Sequence, residues 1–127
     1  MLNNFSGSSL KNNSGYFSFS YAYFSEAAEL LKISGALGYV TIKSKNFEVG
    51  RESEVFFHAR GVVKSFIWAS NEPIEIGSLF FYPKIFTSVT LAPTGVVSQL
   101  ITDKDVQFTN NQGQKVKYFA GDTIHFL

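Results

Sequence analysis

Two histidines are the first candidates for chemistry, His58 within Phe56-Phe57-His58-Ala59-Arg60 and His125 within Thr123-Ile124-His125-Phe126. A neutral imidazole can ligate a metal or accept a proton near neutral pH. Glu54 could share a strand face with His58, but nothing in the sequence ties His125 to that face, and closely spaced histidine motifs are absent. Both therefore read as hydrogen-bonded or surface residues, and no metal is expected. Serines are plentiful but never sit in Gly-x-Ser-x-Gly, and the glycines never form Gly-x-Gly-x-x-Gly or Gly-x-x-x-x-Gly-Lys. No catalytic residue, cofactor or enzymatic activity is expected.

Lys64, Phe66 and Trp68 make the one candidate binding platform. Alternate residues of a strand share a face, so the three could present an aromatic surface with a basic neighbour, of the kind on which a glycan or a second subunit docks. The competing reading places Phe66 and Trp68 in the core.

The stretch that must organise these residues is Ser14 to Phe24, where aromatic and small side chains alternate. Alternation with period two predicts a strand with Phe17, Phe19, Tyr21 and Tyr23 on a core face and Ser18, Ser20 and Ala22 opposite. Ser25 to Gly35 carries helix signals: Ser25 as cap, Glu26 and Glu29 in the first turn, Lys32 near the end and Gly35 as terminator. From Ala36 onward short strands follow one another, with Val40 and Ile42 sharing a face. At Arg60-Gly61 a bulge in one long strand is favoured over a hairpin, because a left-handed backbone is costly for arginine. Leu79 to Tyr82 is wholly apolar, as in a strand covered on both faces, and Pro83 marks an edge or bend. Asn110 to Gly113 reads as a hairpin loop. About nine or ten strands, one short helix and hardly any crossover material predict an all-β, antiparallel β-sandwich (jelly-roll-like) or small barrel.

The totals agree with a single domain. At 127 residues, folding removes roughly two thirds of the unfolded chain's surface. Cysteine is absent, which excludes disulfides and thiolate metal sites. The 11 basic and 10 acidic residues are dispersed, giving a net charge of +1 and no basic face for nucleic acid. No apolar run is long enough for a membrane helix, and the amino terminus lacks the n- and h-regions of an ordinary signal peptide.

Residues 1–13 are polar and read as a flexible arm before a β-domain at 14–127, with Leu2, Phe5 and Leu10 as its possible contacts. Aromatic residues make up 17% of the chain, well above what a typical domain carries, so the chain should bury much or share surface. Together these features predict a structural, self-assembling homo-oligomer, such as a small virion component (capsid decoration, coat or tail protein), in a virion or a cytoplasmic assembly. The alternative is a carbohydrate-binding β-sandwich using the platform around Trp68.

Overall fold

A computed structural model describes residues 3–126, with side chains from residue 8 onward, and the fold is all-β and antiparallel. Its main sheet runs in the order β1 (Asn3–Asn12), β2 (Gly15–Phe24), β3 (Leu30–Ile42), β5 (Ser53–Phe57), β6 (Val63–Ile67), β9 (Ser88–Leu91), β10 (Val97–Ile101) and β13 (Thr123–His125). The short β4 (Lys45–Glu48) joins β3 from the side. Two hairpins stand apart from the sheet, β7 (Ile74–Ile76) with β8 (Leu79–Phe81) and β11 (Val106–Thr109) with β12 (Lys115–Tyr118). One lateral row crosses the whole sheet: Asn4, Tyr23, Lys32, Phe56, Ser65, Thr90, Gln99 and His125 are successive cross-strand partners.

Asn3–Asn12, expected to be a flexible arm, is instead strand β1, in unbroken antiparallel register with β2 from Asn3↔Phe24 to Asn12↔Gly15. The backbone ladder with β2 supplies its order. Leu10 packs against the core; Leu2 and the Phe5 side chain lie outside the described residues.

The expected helix at Ser25 to Gly35 is absent. Ser25 does act as a cap, but of a turn: its Oγ accepts from the Glu29 N–H at 3.2 Å, and its N–H donates to the Glu29 carbonyl at 2.9 Å. Ala28 has φ 62, so the chain cannot continue as a right-handed helix. From Leu30 it pairs with β2 and then with β5, and two ladders outweigh a local helical preference of a few tenths of a kcal/mol per residue.

Strands β2 and β3 change face together midway. Their pairing runs from Gly15↔Val40 to Ser18↔Leu37 and resumes at Tyr21↔Ser34. Before the break Phe17 and Val40 point inward; beyond it Ala22 and Ile33 do. The expected aromatic face is therefore split: Phe17 is in the core, Phe19 is half-buried against it, and Tyr21 is exposed. Tyr23 lies half-buried on the lateral row. Gly35, at φ 66, sits in the break, where an added Cβ would lie 2.5 Å from Ser20 Oγ.

At residues 59–61 the chain turns, so the bulge expectation is overturned: β5 and β6 are an antiparallel hairpin joined by a 3-10 turn, with Arg60 at φ 68 and Gly61 at φ 77. The cost to arginine is offset by bonds from the β1–β2 hairpin tip. Asn12 Nδ2 donates to the Gly61 carbonyl at 3.0 Å, and the Val63 N–H donates to Ser14 Oγ at 2.9 Å. Each such bond contributes about 1 kcal/mol, comparable to the strain.

The core is aromatic at its centre. Trp68 lies between Phe47, at 4.9 Å between ring centroids, and Phe66, at 6.1 Å. From the hairpins, Phe81 meets Phe108 and Phe126 edge-on, at 5.4 and 5.0 Å. Each fully buried large side chain contributes about 2 to 3 kcal/mol of transfer free energy.

Gly35 and Gly77 share nearly the same φ, but nothing lies within 4 Å of a Cβ at Gly77. Gly77→Ala is expected to cost about 1 kcal/mol from backbone strain alone, and Gly35→Ala about 1 to 2 kcal/mol more because the Ser20 side chain is displaced. Urea denaturation of both variants checks this; equal losses would show that the contact with Ser20 contributes nothing.

Candidate functional site

The proposed platform of Lys64, Phe66 and Trp68 does not form a surface. The register between β5 and β6 shifts after Phe56↔Ser65, so Lys64 points to solvent while Phe66 turns inward, and Trp68 is fully buried. The Trp68 indole N–H has no hydrogen-bond partner among the described residues. With both aromatics in the core, sugar stacking loses the residues it was built on.

The histidines do not come together as a constellation. His58 follows β5 directly, and its Nε2 donates to the Leu91 carbonyl at 2.8 Å, which requires a proton on that nitrogen. His125 stands exposed on the lateral row beside Gln99. Glu54 is committed to Lys32, whose Nζ lies 2.7 Å away. No group of three or more potential metal ligands occurs among the described residues.

Lys32 is the centre of a small cluster on the outer face of the sheet. Its ammonium lies 4.9 Å from the Tyr23 ring centroid and 5.7 Å from that of Phe56, as the lateral row requires. The hydrogen bond to Glu54 outweighs partial desolvation and raises the Lys32 pKa above its usual 10.5. Any stabilisation from this pair is fully present below the unfolded pKa and is lost only as pH rises through the raised folded value. The pair is solvent-accessible, so its contribution is small.

The structure concentrates exposed apolar surface where the sequence predicted a doubly covered strand. In β8 only Phe81 goes inward; Leu79 and Phe80 face solvent, and Phe80 is 59% exposed. Pro83 bridges to Thr102, and the Asp103 N–H donates to the Tyr82 carbonyl at 2.8 Å, which pins the segment to its neighbour. Lys104 Nζ covers the Tyr82 ring at 3.9 Å.

The chain then turns at Lys84 to Thr87. The Thr87 N–H and Oγ1 both reach the Lys84 carbonyl, at 3.3 and 2.6 Å, which leaves Ile85 and Phe86 at the tip. Phe86 is 74% exposed and has φ 67, at a position where glycine or asparagine is the residue without strain. The turn is held from behind: the Phe86 N–H donates to the Trp68 carbonyl at 2.8 Å, and the Trp68 N–H donates to the Thr87 carbonyl at 2.9 Å. A rigid turn thus presents two apolar side chains outward. No turn residue at Ile85 or Phe86 signals this geometry in the sequence, which is why it was missed.

Comparison with protein-family models, curated proteins and solved structures finds no match to this chain. No helix among the described residues is long and apolar enough to cross a membrane.

Trp68 is the chain's single tryptophan, so its emission reports this core directly. It is expected to be blue-shifted and nearly insensitive to iodide in the native protein, and to redshift on unfolding. Native emission quenched as readily as that of free tryptophan would contradict its burial.

Proposed function

We propose that this chain is a non-enzymatic structural β-domain that self-assembles through the apolar segment from Leu79 to Phe86, as a subunit that builds or decorates a virion capsid, coat or tail. The observation that carries the reading is Phe86, a large apolar side chain held outward on a left-handed backbone. Such a conformation costs about 1 to 2 kcal/mol in a non-glycine residue, and strain of this kind collects at functional positions. Leu79, Phe80, Tyr82 and Ile85 extend the apolar surface within the same segment. Aromatic side chains of this type dominate the buried centre of protein interfaces.

The sheet also has open edges. Among the described residues β1 and β13 each pair on one side only in the main sheet, an arrangement that another copy could extend. A contact that joins two different surfaces makes rings or filaments, whereas one that joins a surface to itself makes dimers.

Phe86→Gly separates the two roles of this residue. It is expected to raise the thermal midpoint by removing backbone strain, while weakening self-association at least about tenfold. Sedimentation velocity over a wide concentration range, with a melting curve on each sample, measures both. A wild-type chain that stays monomeric throughout, or a Phe86→Gly variant that assembles as well as wild type, overturns the proposal.

A further inference from the structure

A cleft of about 700 Å³ opens on the inner side of β1, β2 and β3, beside the β5–β6 turn. Its apolar lining is Leu10, Phe19, Ala22, Phe24, Leu30 and Ile33. The face change in β2 and β3 creates it: Phe19 precedes the break and Ala22 follows it, so a small side chain lies next to a large one on the same wall. Ser8, Ser9, Asn12, Arg60 and Gly61 complete the lining with polar groups.

Arg60 is the only charged residue in that lining, and it forms no ion pair among the described residues. Its backbone is held by the turn that Asn12 ties to β1 through the Gly61 carbonyl. A guanidinium beside an apolar cavity is complementary to a carboxylate joined to an alkyl chain, since its fork of N–H groups can donate to both carboxylate oxygens while the hydrocarbon fills the cavity. The volume falls within the range of small-molecule pockets, about 300 to 1,000 Å³, and the mix of apolar walls with few polar groups is typical of them.

We propose that this cleft binds a medium-chain fatty acid, with the alkyl chain against Phe19, Ala22, Leu30 and Ile33 and the carboxylate at Arg60. The site is independent of the self-association assigned to the Leu79 to Phe86 segment and stands or falls separately from it.

Calorimetric titration of the full chain with laurate, below the concentration at which it forms micelles, tests the assignment. Monolaurin supplies the same chain without the charge, and acetate supplies the charge without the chain. Arg60→Asn removes the cation while keeping a residue that tolerates the left-handed backbone, and Ala22→Leu narrows the cleft. Saturable binding of one laurate per chain is expected. It should weaken about tenfold or more in Arg60→Asn and with monolaurin, in line with the loss of a charged hydrogen bond, and acetate should not bind. Loss of binding in Ala22→Leu, with a native melting curve, places the alkyl chain in the cleft; if that variant does not fold, Arg60→Asn and monolaurin decide alone. No saturable laurate binding, or binding unweakened by Arg60→Asn, overturns the proposal. An oligomer that dissociates in Ala22→Leu while laurate fails to bind would assign the cleft to a second copy instead.

Discussion

Strands β2 and β3 have to stay paired while exchanging the faces they present, and the architecture depends on that. Pairing follows one register on both sides of the break, so neither strand gains a residue on the other. The adjustment is local, in Ser20 and Gly35, and it requires a residue without a Cβ at a left-handed φ. Because both strands turn over together, the backbone ladder survives and only the side chains are re-aimed. Phe17 and Val40 then point into the core at one end, while Ala22 and Ile33 do so at the other.

That change of face also lets one strand serve two partners. The first half of β3 pairs with β5, and the second half pairs with β4. The branch closes where Val49, just beyond β4, bridges to Trp68, with the Gly50 N–H donating to the Ile67 carbonyl at 2.7 Å. Trp68 is therefore at a junction of backbone as well as at the centre of the aromatic core. Its own N–H and carbonyl hold the turn that carries Phe86. A fully buried aromatic residue and the most exposed one are thus joined by a backbone hydrogen bond.

Much of the strand pattern was legible because its cause is local. Alternation placed Val40 and Ile42 on one buried face, and Asn110 to Gly113 formed the expected connection between β11 and β12. Ser25 was also legible as a cap, but whether a capped turn continues as helix depends on what Leu30 to Ser34 meet, and their partners in β2 and β5 are not local. The polar segment at Asn3 to Asn12 misled for the same reason, since the partner its backbone pairs with, β2, is not visible in its own residue types. At Arg60 the argument from backbone strain was sound, but the compensating bonds come from Asn12 and Ser14, 49 residues away in the chain for the Asn12–Gly61 and Ser14–Val63 pairs. The cleft could not be read at all, because alternation assumes that a strand keeps its face.

The abundance of aromatic residues has an unequal outcome that bears on function. Phe17, Phe47, Phe66, Trp68 and Phe81 stabilise the folded chain by burial. Phe80 and Phe86 do not, since their rings are mostly in water, and at Phe86 the backbone adds a cost as well. Glycine at that position would relieve the strain without removing a core contact, so the stability of the isolated chain does not account for phenylalanine there. In the self-association proposed above, burial of the ring against an apolar surface of a second copy would return about 2 to 3 kcal/mol, enough to exceed the strain. The turn is already held in place by Trp68, so little conformational entropy is lost when such a contact forms.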